Sequence, residues 1–336
     1  MPDASPADPR LDTLRTWVAA TLATRDFALT PASSDASFRR YFRVRFYAPG
    51  AASLIAMDAP PDREDCRPFV RVAGLLAEAG VHAPQIVASD VGQGFLLMSD
   101  LGDRTYADVL DETNADGLYR DALDALVLWQ RSTREGALPP YDDALLRREL
   151  ALFPDWYLAR HIDVVPTPAE RETLGAAFDL LVANNLAQPQ VFVHRDYHSR
   201  NLMVCTPNPG VLDFQDAVTG PVTYDLVSLL RDAYVAWPEE RELDWAVRYW
   251  DRARAAGLPV DGDFSAFFRD YEWMGIQREL KVLGIFARLS HRDGKDRYLA
   301  DLPRVMGYLR RAVSRYREFD PLRRVLDAFE TRARRV

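Results

Sequence analysis

Lysine is nearly absent from this 336-residue chain: Lys281 and Lys295 are the only two among its 42 lysines and arginines. We attribute this bias mainly to a genome composition that favours arginine codons. Its consequence is that any site in the first 280 residues that needs a positive charge must use arginine.

Cysteine and long apolar runs are also scarce. Two cysteines, Cys66 and Cys205, are too few for a disulfide framework, and their spacing fits no zinc site. No apolar stretch reaches the length of a membrane span, and the N-terminal MPDASPADPR lacks the apolar segment of a secretion signal. The net charge of −8 argues against a general nucleic-acid binder. We therefore expect a cytoplasmic protein that binds neither membrane nor nucleic acid and has no obligate protein partner.

Strand-like patterns concentrate in the first third of the chain and helical patterns follow. An amphipathic helix runs over 11–22, and a second helix begins with Asp62 as its cap and ends at Gly80. Four segments read as strands: 38–47, 53–58, 85–90 and 94–99. Helical patterns dominate from residue 104 onward. We predict an α+β chain of two lobes, a nucleotide-binding lobe over 1–99 and a helical lobe over 100–336 that carries the catalytic loop, the metal site and a substrate pocket.

One segment carries the chemistry: VFVHRDYHSRNLMV (191–204), followed by GVLDFQDAV (210–218). Its order reproduces the protein-kinase catalytic loop and the metal-binding aspartate that follows that loop. Asp196 is placed to orient an attacking hydroxyl and accept its proton. Asn201 and Asp213 offer oxygens for Mg²⁺. Asp216 is either an auxiliary carboxylate or a surface turn.

Three further residues of this region have predicted roles. His198 either contacts the transferred phosphate as a catalytic group or binds the loop backbone. His194 braces the loop from the core. Asp225 begins a buried helix, where it needs hydrogen-bond partners that the backbone N–H groups of the catalytic loop can supply.

The motifs VHRDYHSRN, VLDFQDA and GPVTYDL resemble the aminoglycoside-phosphotransferase and choline-kinase family of small-molecule kinases. His198 is typical of that branch. The resemblance implies a bilobal protein-kinase-like fold, a small β-rich lobe before a large helical one, with ATP and Mg²⁺ as cofactors.

Five stretches narrow the resemblance to the bacterial anomeric sugar kinases of cell-wall recycling: SSDASFRRYFRV, MDAPP, LLMSDLGDRTY, ELALFPDWYLARH and QRELKVLGIFARL. What that branch implies is ATP-dependent phosphorylation of the C1 hydroxyl of N-acetylmuramate and N-acetylglucosamine. Two alternatives stay open: a kinase of another small alcohol, such as choline or an aminoglycoside, and a non-catalytic, pseudokinase-like binding protein.

The nucleotide site departs from the protein-kinase pattern. The phosphate-covering turn, 33–37, has no glycine, so Ser34 and Ser37 are the candidate phosphate ligands there. Met57 and its neighbours occupy the strand that normally presents lysine. Arg39 and Arg43, on one face of the preceding strand, are the candidate replacements, with a solvated strand face as the alternative.

Two assignments complete that site. Glu64 is the candidate helix partner of the replacement cation. The hinge residues Met98, Ser99, Asp100 and Leu101 are assigned to the adenine.

Candidate sugar contacts come from two helices. Leu146, Leu150, Phe153 and Tyr157 stripe the helix over 145–160 as core residues, and three others lie off the stripe: Glu149, Trp156 and Arg160. The helix MGIQRELKVLGIF is apolar nearly all round and should be buried. Its polar residues Gln277, Arg278 and Lys281 then need partners, either Glu279 and other internal acids or a ligand.

Overall fold

The computed structural model describes residues 8–34 and 38–333, and these divide into two units. The first contains the described residues up to Arg104 together with Met203–Asp216, and the second contains Thr105–Leu202 and the described residues from Ala217 onward. The functions assigned to 1–99 and 100–336 stay predictions.

The helices and strands follow one another with strands early and helices late. The strands are β1 (Phe27–Ser34), β2 (Arg40–Phe46), β3 (Leu54–Asp58), β4 (Ile86–Asp90), β5 (Phe95–Ser99), β6 (Gln190–Val193), β7 (Leu202–Met203), β8 (Gly210–Val211) and β9 (Val218–Pro221). The helices are α1 (Pro9–Leu22), α2 (Arg67–Glu78), α3 (Tyr106–Val109), α4 (Ala115–Arg131), α5 (Asp143–Leu152), α6 (Pro168–Ala187), α7 (Tyr224–Leu230), α8 (Glu239–Ala255), α9 (Phe264–His291), α10 (Leu302–Arg315) and α11 (Asp320–Ala333). Over residues 8–34 and 38–333, no helix combines the length and the apolar character needed to cross a membrane.

In the first unit, an antiparallel sheet in the order β1-β2-β3-β5-β4 packs against α1. Leu14 and Val18 of α1 meet Phe42 and Val44 of β2 in this core. The α1 helix begins at Pro9, two residues before the apolar pattern, because the Asp8 carboxylate caps two N–H groups of its first turn.

Two expectations for this unit were wrong. β1 was missed; it is an edge strand that contains Pro31 and a register shift beside it, and proline weakens the strand pattern there. α2 begins at Arg67 rather than after Asp62, because the chain after Pro60 first makes a turn in which the Pro60 carbonyl accepts two N–H groups. Its end at Gly80, with φ +77°, is as predicted.

In the second unit, α9 is buried on all sides from Tyr271 to Gly284, which confirms the prediction from its apolar pattern. It passes α5 so closely that a Cβ on Gly284 would lie 2.4 Å from the Leu152 carbonyl carbon. The helix predicted over 145–160 is not continuous. Pro154 has no N–H to continue the α-helical bonding, and the chain forms a π-helix, Phe153–His161.

Candidate active site

A buried carboxylate holds the loop that follows β6. Asp225, fully buried at the start of α7, accepts hydrogen bonds from the backbone N–H of His194 (2.6 Å) and of Arg195 (2.9 Å). Arg195 has φ +77°, a conformation that a non-glycine residue holds only when its surroundings fix it. Burial raises the pKa of Asp225 to about 7 despite these two bonds. Asp225 thus binds the backbone of the loop at two successive residues. Its predicted role in supporting catalysis stays a prediction.

Asp196 and Asn201 are tied together within this loop. The Asn201 side-chain amide donates to the Asp196 carbonyl (2.9 Å), and its backbone N–H donates to the His198 carbonyl (2.9 Å). The Asp196 N–H donates to Nδ1 of the buried His194 ring (3.2 Å). The loop thus brings the predicted base, one predicted metal ligand and His198 into one turn.

The environment of the Asp196 carboxyl favours its ionised form. Burial alone would raise the pKa of Asp196, but positive charge from Lys281, and then from Arg195, outweighs burial and lowers it. Asp196 is therefore available as a proton acceptor at neutral pH.

Behind the loop lies a buried polar network that the sequence did not reveal. The Glu149 carboxylate lies 2.5 Å from Arg195 Nη2 and 2.9 Å from Lys281 Nζ. Lys281 also donates to the Tyr224 hydroxyl (2.7 Å), and the Tyr141 hydroxyl donates to Glu149. One of the two lysines of the chain is thus held beside the catalytic loop. In the sequence, the signal was that α9 is apolar nearly all round, so that its few polar residues would be buried and would need partners.

His198 is the less tightly held member of the loop. Its ring packs edge-on against Tyr234, with centroids 5.3 Å apart, and its buried Nδ1 has no hydrogen-bond partner among the residues that the structure describes. Burial, above all, lowers the pKa of His198, so the ring is neutral at neutral pH.

Asp213, in the first unit, follows β8 in a constrained conformation. Its φ is +60°, and the Gln215 side-chain amide donates to it (2.9 Å) and to Asp216 (3.2 Å). Phe214 is fully buried and packs on Phe69 of α2, with ring centroids 4.6 Å apart. Phe214, which directly follows Asp213, is therefore held in place by its packing on α2.

Arg39 and Glu64 form an ion pair in the first unit, with Nη2 and Oε2 3.1 Å apart. Burial acts to lower the pKa of Arg39, but the acidic groups of Tyr41, Glu64, Asp216 and Asp213 outweigh it and raise the pKa. The guanidinium thus lies among the groups that a phosphate-binding cation would have as neighbours.

A family model described as the phosphotransferase enzyme family matches residues 28–259. The chain belongs to this family. It is 58% identical over 89% of its length to a Pseudomonas aeruginosa protein and 53% identical over 91% to a Pseudomonas putida protein, covering 87% and 90% of those chains. Both are named N-acetylmuramate/N-acetylglucosamine kinase.

An ADP-bound aminoglycoside phosphotransferase has a similar fold, with a TM-score of 0.54, 12% identity, and coverage of 88% of this chain and 97% of that one. The predicted family and the α+β, protein-kinase-like fold class are confirmed. The chain is a phosphotransferase.

Other residues assigned to the nucleotide have internal partners in this phosphotransferase. Arg43 is paired with Asp100 (2.6 Å), which also accepts from the Ser53 hydroxyl. Burial would raise the pKa of Asp100, but these partners lower it. The Ser99 hydroxyl accepts the Gln85 N–H (2.8 Å).

The remaining residues assigned to the nucleotide differ in what the structure describes of them. Met98 is buried in the middle of the sheet, and Leu101 is buried just beyond its last strand. Ser34 ends β1, and Ser37 lies outside the described residues. Their roles stay predictions.

The predicted sugar contacts lie in different surroundings. Glu149 and Gln277 are buried together, and the Gln277 amide donates to Glu149 (3.3 Å). Trp156 is half-buried and Arg160 exposed, both on the π-helix. Arg278 is buried, with one long hydrogen bond.

Proposed function

We propose that this phosphotransferase is an ATP-dependent kinase that phosphorylates the C1 hydroxyl of N-acetylmuramate and N-acetylglucosamine, giving sugar 1-phosphates for peptidoglycan recycling. The observation that carries the proposal is the 58% identity, over 89% of the chain, to a kinase named for these two sugars. Because its phosphoryl donor is ATP, we also propose that it works in the cytoplasm.

Asp196 is the catalytic residue in this proposal. Its carboxylate orients the sugar hydroxyl and accepts the proton as the bond to phosphorus forms. Two features support the role: a loop fixed by Asp225, and an environment in which the pKa of Asp196 is lowered so that it stays ionised.

Arg39 takes the part of the missing lysine. A guanidinium can hold two phosphate oxygens at once, and the Glu64 carboxylate beside it restrains its orientation. The donors assigned to magnesium fit that ion, because Asn201 and Asp213 offer the hard oxygens that it prefers. Bound Mg²⁺ would neutralise phosphate charge.

The test is phosphoryl transfer from ATP to a panel of acceptors, with NMR of the products. We expect phosphate on C1 of both amino sugars. Phosphate on C6 would contradict the anomeric assignment, transfer only to choline or an aminoglycoside would change the acceptor class, and no transfer at all would favour a binding protein.

Asp196→Asn tests the base. We expect turnover to fall by about 10²- to 10⁴-fold, with ATP binding by calorimetry close to that of the wild type. The matched control is Asp244→Asn, which removes an exposed carboxylate paired with Arg248 on α8. Normal turnover in Asp196→Asn would refute its assignment as the base.

A further inference from the structure

Arg278 is a buried cation without an acidic partner. Arg278 is only 5% exposed. Among the described residues, its one hydrogen bond runs from Nη1 to the Arg231 carbonyl oxygen, at 3.4 Å. Within the described part of the chain, no carboxylate oxygen lies within ion-pair distance of it. The other deeply buried cations differ: Arg231 lies 2.7 Å from Glu242, and Lys281 lies 2.9 Å from Glu149. A buried charge left without a partner is costly, which indicates that Arg278 is kept for a ligand.

A second guanidinium lies in the same surroundings. Arg200 is exposed, and its guanidinium carbon lies 3.6 Å from the centre of the Tyr234 ring. Tyr234 is also the ring against which His198 packs. Arg278 reaches the same region, because it donates to the Arg231 carbonyl and the next residue, Asp232, accepts the backbone N–H of Tyr234. After burial, positive charge from Arg278 and Arg200 also acts to lower the pKa of His198.

Of the nearby acids, the buried Glu279 lies 3.5 Å from Arg231, and two others accept backbone N–H groups. Asp232 accepts the N–H of Ser199 (2.8 Å) and of Tyr234 (2.8 Å), and Asp225 holds the loop. The negative charge of these carboxylates lowers the positive potential around the two guanidiniums. Among the residues described, none of them forms an ion pair with Arg278 or Arg200.

We propose that Arg278 and Arg200 form the subsite for the carboxylate of an acidic acceptor sugar. The proposal rests on the proposed function and deepens it. N-acetylmuramate carries a lactyl carboxylate on O3, two ring carbons from the reacting hydroxyl, whereas N-acetylglucosamine has a plain hydroxyl there. The two guanidiniums therefore favour the acidic sugar over the neutral one.

The test compares three acceptors with the full-length enzyme: N-acetylmuramate, its methyl ester and N-acetylglucosamine. Arg278→Gln is expected to raise KM for N-acetylmuramate by about 10- to 100-fold, with KM for the two neutral acceptors and for ATP changed less than about twofold. Arg200→Gln is also expected to raise KM for N-acetylmuramate and not for the neutral acceptors, but by a smaller factor, because Arg200 is exposed. Arg278→Lys is expected to raise KM for N-acetylmuramate less than Arg278→Gln does. Lysine keeps the positive charge but lacks the two-pronged guanidinium that binds both carboxylate oxygens.

The matched control is Arg288→Gln. Arg288 is a half-buried arginine on the same helix, about 15 Å farther along α9 at 1.5 Å per residue. We expect this variant to keep the wild-type preference among the three acceptors.

The ligand-side comparison starts from the wild-type enzyme. Esterification alone should raise KM there by about 10- to 100-fold, and in Arg278→Gln it should have a much smaller effect, because only Arg200 is left to bind the carboxylate. Equal KM values for the acid and its ester in the wild type would overturn the subsite. Equal losses with all three acceptors in Arg278→Gln would also overturn it, because contact with the transferred phosphate or a purely structural role produces that pattern. A wild-type enzyme that transfers phosphate to neither sugar would instead refute the proposed function, and the subsite with it.

Discussion

Lys281→Met should lower both stability and activity. The change removes a buried ammonium that lies 2.9 Å from Glu149 Oε1 and donates to the Tyr224 hydroxyl. Breaking a buried ion pair costs about 3–5 kcal/mol. We expect the low end, about 3 kcal/mol, because Arg195 still lies 2.5 Å from the same carboxylate.

The loss should depend on pH in a defined direction. Burial opposes both charges, but Lys281 and then Arg195 lower the pKa of Glu149 below 4.5, and Glu149 raises the pKa of Lys281 above 10.5. The Glu149 contribution is present above pH 4.5 and is lost as pH falls through its lowered pKa. The Lys281 contribution is present below pH 10.5 and is lost as pH rises through its raised pKa. Urea unfolding should therefore show the full deficit of Lys281→Met between these values.

The same variant should shift the activity profile. Loss of the positive charge near Asp196 raises the pKa of Asp196, so the acidic limb of the kcat profile should move to higher pH. The control is Lys295→Met, which removes the only other lysine, half-buried and outside this network, and should change stability by no more than about 0.5 kcal/mol. Equal free energies of unfolding and equal acidic limbs in the two variants would refute the reasoning.

Three further changes test other parts of the structure. Arg39→Met should raise KM for ATP by about 10-fold or more through loss of a charged hydrogen bond, with little change in KM for sugar; the reverse pattern in steady-state kinetics would contradict the phosphate role. Asp225 keeps its proton up to about pH 7 in the folded chain but loses it near pH 3.8 in the unfolded chain. The free energy of unfolding should therefore fall by about 4 kcal/mol as pH rises from 3.8 to about 7. Asp225→Asn should lack this fall. A variant curve parallel to that of the wild type would exclude Asp225 as the source. Gly284→Ala should lower the free energy of unfolding by about 1–3 kcal/mol, because its Cβ would meet the Leu152 carbonyl, and an unchanged urea midpoint would show that α9 can move away.

The sequence predicted what depends on local patterns and short spacings. The apolar run before His194 and the spacing from Asp196 to Asn201 place the loop after a strand, and both features are in the structure. Arg40, which alternation along the strand turns away from Arg39, pairs with the buried Asp58, whereas Arg39 pairs with Glu64. Alternation along a strand is sufficient for such a prediction.

The rest depends on contacts between distant parts of the chain. Glu149 reads as an off-stripe residue of an amphipathic helix, and only the fold brings it to Lys281. The π-helix also escaped prediction, because Pro154 predicts a break in hydrogen bonding without telling which bonding pattern follows it. Positive φ at Arg195 has no signature in residue type, and Asp213 gives only the weak one that aspartate tolerates this conformation better than most non-glycine residues.

The placement of Lys281 shows why codon preference alone does not explain the basic residues of this chain. Arg195 already directs a guanidinium nitrogen at Glu149 Oε1, so the second cation must reach the same oxygen from a buried helix and also meet the Tyr224 hydroxyl at 2.7 Å. A planar guanidinium would require more room and would leave N–H groups without acceptors in the interior, whereas an ammonium is compact and can turn its three donors toward both partners. Arginine suits position 39, where the ligand we propose is phosphate and a guanidinium fork would match its oxygens. At position 281 the shape of the cation, in addition to its charge, favours lysine.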